Sequence, residues 1–226
     1  MLDVSAFVMK PGVFISFEGS EGCGKSTQIE MLARHLRAIG HRMRTLREPG
    51  GTLIGEEIRH TLKHSKNNHA MTAEAELLLM NASRAQLVRE VIRPALAAGD
   101  VVVCDRFYDS TTAYQGYGRE LDLAMVQTVI DIAVGDTRPD LTLLLTVTPE
   151  TGANRRAQRQ VNLPFMRDRF EEADRQFFER VEKGFAAIAA AEPDRFCVVE
   201  ASGSVESVSG RIWELVRPVL PKIGRW

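Results

Sequence analysis

The stretch VFISFEGSEGCGKS, residues 13–26, decides the architecture. Val13 to Phe17 is a short, mostly apolar run with the composition of a buried strand. Gly19-Ser20-Glu21-Gly22-Cys23-Gly24-Lys25-Ser26 then fits G-x-x-x-x-G-K-[ST] without a mismatch, and Thr27 follows it. From Gly24 to Ile39 the spacing predicts a helix, with Ile29, Leu32, Ala33 and Leu36 on one face and Gly40 as its stop. Strand, glycine-rich loop and helix in that order make a phosphate cradle. Glycines let backbone N–H groups turn inward, and the helix N-terminus adds positive partial charge. Lys25 would supply a point charge to the β- and γ-phosphates of ATP, and Ser26 a ligand to Mg²⁺. Cys23 within the loop is either a thiol activated by the helix end or a small residue where a bulky one would collide with phosphate, and we read it as the latter.

Outward from this loop, apolar strand runs alternate with amphipathic helices. Further strands are expected at Arg42–Leu46, Val101–Cys104, Leu141–Val147 and Phe196–Val199. Helices are expected at Glu56–Leu62, Ala73–Ala98 with a bend near Pro94, Leu121–Val134, Glu150–Arg159, Asp168–Ala191 and Ser204–Val219. The pattern predicts an α/β chain of three layers, a five-stranded parallel sheet covered by helices on both faces. The least regular segment, Gln160–Arg167, lies between arginine-rich helical stretches and reads as a mobile flap; the whole lid is placed at about residues 155–170 of a single domain spanning residues 1–226.

Composition limits the function classes. The 226 residues are 44% hydrophobic and 26% charged, with a formal net charge of −1, so no global field favours nucleic acid or an anionic membrane. Phosphate binding must therefore come from a local cluster of cations. Cys23, Cys104 and Cys197 are odd in number and widely spaced, which predicts a reducing, cytoplasmic setting and no structural zinc. The opening twelve residues lack the pattern of a signal peptide, and no apolar run is long enough to span a bilayer.

The remaining motifs choose the acceptor. Arg47-Glu48-Pro49-Gly50-Gly51-Thr52 follows the second strand. Asp105-Arg106 ends the third and runs into Ser110-Thr111-Thr112-Ala113-Tyr114-Gln115-Gly116. Arg138-Pro139-Asp140 precedes the fourth strand, and Asp168-Arg169-Phe170-Glu171 follows the flap. Arg106, at the carboxyl end of a central strand, would point into the crevice where α/β sheets bind ligands, and a guanidinium grips a phosphate in bidentate fashion. Asp105 beside it could hold Mg²⁺ through water. The bland reading of this pair is a structural ion pair at a strand end.

In this order and over nearly the whole chain, these motifs resemble the thymidylate kinase family, which carries the P-loop nucleoside-monophosphate kinase fold. The resemblance implies transfer of a phosphoryl group from ATP to dTMP, on the route to dTTP, in a cytoplasmic homodimer packed through helices such as Ala73–Arg93. It gives Arg106, with Arg47 nearby, the acceptor phosphate, and Arg84 the thymine edge. Residue 80 would stack on the ring, where relatives carry Phe and this chain carries Met80. Thr111 would reach the pyrimidine, Gln115 would also bind the substrate, Tyr114 would press on C2′ of the sugar, and Glu21 would contact its 3′-OH or a metal-bound water. Gly22 stands where some members carry a catalytic arginine in the loop, so the charge is expected from the lid, through Arg155 and Arg159 more than Arg156. Two alternatives are weighed against this reading. Another P-loop nucleotide or nucleoside kinase would lack REPGGT or the need for Arg106. A nucleotide-dependent switch would leave the acceptor-side arginines without a purpose.

Overall fold

Six consecutive buried residues form the first strand, β1 (Val13–Glu18), and a strand buried on both faces belongs in the middle of a helix-covered sheet. The computed structural model describes residues 12–148, 150–152, 154–155 and 175–221. In chain order β1 is followed by α1 (Lys25–Ala38), β2 (Met43–Arg47), α2 (Leu53–His64), α3 (Ala73–Leu87), α4 (Arg93–Ala97), β3 (Val101–Asp105), α5 (Tyr108–Thr111) and α6 (Leu123–Val134). Then come β4 (Leu141–Thr146), α7 (Arg175–Ala191), β5 (Phe196–Glu200) and α8 (Val205–Val216). The sheet is five-stranded and parallel throughout, in the order β2-β3-β1-β4-β5. Helices cover both faces, giving the three expected layers.

Alternation along β1 assigns the two cores. Ile15 and Phe17 join Ile29, Leu32 and Leu36 of α1 and Val208, Ile212 and Val216 of α8. Phe14 faces the other way, among Leu77, Leu87, Ile92, Ile130 and Phe107. Because β3 and β4 flank β1 on opposite sides, the strand order reverses there. The crevice beyond the carboxyl ends of β1 and β3 is where such a sheet accepts ligands.

Several element boundaries differ from those expected, for local reasons. α2 starts at Leu53, not Glu56, because Thr52 caps it by accepting the Gly55 N–H at 2.9 Å. Leu53 and Ile54 in that first turn are exposed, so hydrophobic periodicity does not mark it. α6 starts at Leu123, since Asp122 accepts the Met125 N–H. The bend assigned to Pro94 lies one turn earlier, as a π-helical turn over Val88–Ile92, and Pro94 then opens α4, where its missing N–H costs little. α8 ends at Val216, before a 3₁₀ turn, Arg217–Val219, that contains Pro218. α5 and the π-helical turn Thr112–Gly118 after it were not anticipated as helical, their small polar and glycine residues carrying no helical signal. Glu150–Gly152, Asn154 and Arg155 are helical, while residues 156–174, which hold the expected flap and the start of the Asp168–Ala191 helix, lie outside the described residues. Among the described residues no helix is long and apolar enough to cross a membrane.

A buried ion pair ties the layers together. Arg195, just before β5, meets Asp109 of α5 two-pronged, NH1 to Oδ2 at 2.8 Å and NH2 to Oδ1 at 2.9 Å. NH1 also reaches the Thr142 hydroxyl at 2.7 Å, which in turn meets Ser16 of β1 at 2.8 Å. The Asp109 side chain is only 2% exposed, so removing its partner strands a buried charge. Arg195→Met is expected to lower unfolding stability by about 3–5 kcal/mol. Urea unfolding at neutral pH tests this; a loss under about 1 kcal/mol would class the pair with solvent-exposed bridges.

Candidate functional site

The loop after β1 takes a shape that only glycine allows. Gly19, Gly22 and Gly24 have φ of 131°, 82° and 97°. Gly24 caps α1 in the left-handed region with no side-chain cap, and the first turn of α1 carries no acid. The N-terminal N–H groups and their positive potential are therefore left to a ligand. Lys25, buried, folds back over the loop, its Nζ donating to the carbonyls of Gly19 and Ser20, each at 3.0 Å. Ser20 and Glu21 line the same turn. Cys23 packs into the core beneath the loop, with its Sγ 3.7 Å from Lys25 Nζ.

Ser26 and Asp105 meet across the crevice, the Ser26 hydroxyl donating to Asp105 Oδ2 at 3.3 Å. Asp105 Oδ1 is buried and has no hydrogen-bond partner among the described residues. An orphaned carboxylate oxygen beside a hydroxyl, next to a phosphate cradle, is a hard-oxygen set that fits Mg²⁺.

Arg106 occupies a left-handed backbone conformation, φ 68°, with its N–H donating to the Phe17 carbonyl at 2.8 Å. That turn swings the guanidinium over the crevice instead of along the strand. NH1 donates to Ser110 Oγ at 3.1 Å and NH2 to Glu21 Oε1 at 3.2 Å, and the guanidinium lies 5.1 Å above the centre of the Tyr114 ring. Arg106 in turn holds the Glu21 carboxyl down at about 2, with burial opposing and Lys25 and Lys63 assisting. Beneath them lies Glu18, which sequence reasoning missed. Its Oε1 accepts the Phe107 N–H at 2.8 Å and its Oε2 the Ser110 hydroxyl at 2.5 Å. Burial, then the charge of Asp109, pushes the Glu18 carboxyl up to about 8. A charged last residue on an otherwise apolar strand was the available signal.

Loop, strand ends and the acceptor motifs share one cavity of about 750 Å³. On one side lie Glu21, Gly22, Gly24, Lys25, Ser26, Thr27 and Asp105, and on the other Arg47, Met80, Arg84, Thr111, Tyr114 and Gln115, with Arg106 between. Met80 and Phe178 both pack against the apolar cluster that holds Tyr114, Phe177 and Phe185, and both line the cavity. Tyr114, with a dual reading as core or pocket, is both, meeting the rings of Phe177 and Phe185 edge-on at 5.9 and 6.3 Å. Arg59, Lys63 and His64 of α2 also line the cavity and were not anticipated. Arg59 and Lys63 stand four apart beside the REPGGT loop, a spacing that puts both on one helical face.

Arg84, expected at the thymine edge, lines the cavity and is also held by protein acceptors. It is 2% exposed, and its donors meet protein acceptors. Nε and NH2 approach Glu48 Oε2 at 2.8 and 2.7 Å. NH1 donates to Asn81 Oδ1 at 2.7 Å and Thr111 Oγ1 at 2.9 Å, and NH2 to the Phe107 carbonyl at 3.2 Å. Four hydrogen bonds and the ion pair with Glu48 thus hold the guanidinium. Arg47 pairs with Glu56 at 3.1 Å on the cavity rim. Arg155 donates to the Ala201 carbonyl at 3.2 Å and lines both the large cavity and a neighbouring recess of about 170 Å³ with Cys23, Thr27 and Gly203. Arg156 and Arg159 lie outside the described residues.

Comparison with known proteins agrees with this arrangement. Residues 17–212 match the family model described as thymidylate kinase. The thymidylate kinase of Chlorobium luteolum is 48% identical over 200 residues, covering 87% of this chain and 92% of the relative. That of Geobacter sulfurreducens is 46% identical over 215 residues, covering 93% and 99%. A crystal structure of thymidylate kinase from Ehrlichia chaffeensis matches with a TM-score of 0.74 at 30% identity, covering 91% of this chain and 98% of that one. The chain belongs to the thymidylate kinase family.

Proposed function

We propose that this protein phosphorylates dTMP to dTDP with ATP. The observation that carries the reading is the continuity of one cavity from the phosphate loop, past Arg106, to the wall formed by Met80, Thr111, Tyr114 and Gln115. A donor triphosphate and an acceptor monophosphate need such a shared space, with Arg106 between them. An oxygen of the dTMP phosphate attacks the γ-phosphorus of ATP in line. The bond from that phosphorus to the β-bridging oxygen breaks, and ADP leaves with the electron pair. A phosphate dianion is already a nucleophile, so no general base is required.

The chain's own groups position and neutralise. Lys25 is within reach of the donor phosphates once its bonds to the Gly19 and Ser20 carbonyls are exchanged for phosphate oxygens. Arg106, braced by Ser110 and resting on Tyr114, presents a fork to the acceptor phosphate, with Arg47, Arg59 and Lys63 adding positive charge around it. Ser26 and Asp105 would hold Mg²⁺, which would supply neutralising charge to the donor phosphates. Arg155, together with Arg159 from the lid of about residues 155–170, is assigned to charge that develops on the transferred group. The whole chain then acts as one kinase domain in the cytoplasm. Leu53 of α2, Leu78 of α3 and Ile132 of α6 are exposed apolar residues, with α2 packed on α3 and α3 on α6, which supports a homodimer through these helices.

Lys25→Ala is expected to remain folded and to lose transfer by at least about 10²–10³-fold, measured as ADP release from ATP and dTMP. A fully active variant would remove the loop from the mechanism. Arg106→Ala is expected to weaken use of dTMP by about 10–100-fold while leaving ATP affinity nearly unchanged, because the lost contact is a charge-assisted one to the acceptor. Collapse of ATP binding with dTMP binding intact would reverse the two sites. Sedimentation equilibrium at micromolar concentration is expected to give twice the chain mass; a monomer would reject the dimer.

A further inference from the structure

Gln115 is buried on the turn Thr112–Gly118 and is one of the residues bounding the large cavity. Its Nε2 donates to Glu76 Oε1 at 2.9 Å. Glu76 belongs to the first turn of α3, is fully buried, and does not itself line the cavity. Arg119 pairs with the same carboxylate, Nε to Oε1 at 3.2 Å and NH2 to Oε2 at 3.0 Å, and its guanidinium lies 4.7 Å over the Phe177 ring.

A carboxylate paired with a guanidinium offers acceptors only. An amide facing it has one satisfactory orientation, nitrogen toward the carboxylate and oxygen away. Without that partner the two ends of a glutamine amide are nearly interchangeable in size, and nothing else fixes which one a ligand meets. In the structure no described donor meets Gln115 Oε1, and Gln115 is one of the residues that bound the cavity. Arg84, which bounds the same cavity, makes four hydrogen bonds to protein acceptors. Gln115 Oε1 is thus an acceptor whose orientation is set by the bond from Nε2 to Glu76, on a side chain that bounds the cavity.

We propose that Glu76 is a positioning residue that acts through Gln115 to make the pocket select pyrimidines carrying a hydrogen on ring N3. This rests on the dTMP reading above. Thymine and uracil donate from N3–H. Cytosine presents a bare N3 lone pair, so acceptor would face acceptor in a buried site, and rejection of this kind is large. Were the Glu76 side chain an amide, it could accept from or donate to Gln115, and the Gln115 amide could turn over to donate to cytosine.

The test is kcat/KM with ATP for dTMP, dUMP and dCMP, in the wild type, Glu76→Gln, Gln115→Met and the double variant, with thermal midpoints recorded beside them. Glu76→Gln is expected to lower the dTMP-to-dCMP ratio by at least about tenfold, mainly through KM, and to leave the dTMP-to-dUMP ratio unchanged. In the Gln115→Met background the same substitution is expected to change the dTMP-to-dCMP ratio no further, since the two residues act as one unit. An equal fall for all three acceptors, or effects that add in the double variant, would overturn the proposal and leave Glu76 a structural residue. Should Glu76→Gln fail to fold, Gln115→Met alone decides: a wild-type dTMP-to-dCMP ratio there overturns the proposal. A wild type inactive on all three acceptors would defeat the dTMP reading as well, whereas an active wild type whose ratio survives Glu76→Gln defeats this inference alone.

Discussion

The turn that leaves β1 passes so close to β4 that a Cβ on Gly19 would stand 2.3 Å from the Leu145 carbonyl oxygen. No side chain fits there, and the backbone angle of Gly19 is one that other residues rarely adopt. This close approach lets the chain leave the sheet in a tight turn and start α1 at the crevice. From it follow the folded-back Lys25, the meeting of Ser26 with Asp105, and the placing of Glu21 beside Arg106. A wider turn would carry the helix end away from β3 and separate the cradle from the acceptor side.

Charge in the cleft is arranged against a nearly neutral chain. The formal net charge is −1, yet Arg47, Arg59, Lys63, Arg106 and Arg155 converge on one cavity. Several of these cations are already tethered by the protein's own acceptors: Glu21 and Ser110 for Arg106, Glu56 for Arg47, the Pro49 carbonyl for Arg59 and the Ala201 carbonyl for Arg155. Such tethers hold long side chains near their working positions, so less rotamer entropy is lost when phosphates arrive.

The sequence made legible what is local. The phosphate loop, the five strands and the place of Arg106 at a strand end could be read because each sits in a short stretch whose pattern carries its own physics, whereas Arg47, Thr111, Tyr114 and Gln115 came from the family resemblance and are found on the cavity wall. What stayed hidden depends on encounters between distant segments. Glu76 looked like any acid in a helix's first turn, where the dipole alone would explain it. Its meeting with Gln115 and Arg119, about forty residues on, is tertiary. Glu18 looked like the polar end of a strand, and Arg59 and Lys63 like a solvated helix face. Nothing local shows that Glu48, Asn81, Thr111 and Phe107 supply acceptors to Arg84. The π-helical turns escaped for a related reason: their extra residue is stabilised by what packs on them, as Phe177 does on Gly118, and not by any residue preference within the turn.

The burial of Glu18 reaches beyond the cleft. With its carboxyl raised to about 8 from an ordinary value of 4.5, the folded chain holds a proton that the unfolded chain has released at neutral pH. Folding near neutrality therefore takes up a proton at this position. The ionised form is the one the folded state disfavours, so this group's contribution to stability is complete below about 4.5 and declines as pH climbs toward 8. Beneath Arg106, then, the fold keeps on Glu18 a hydrogen that bulk water would remove at neutral pH.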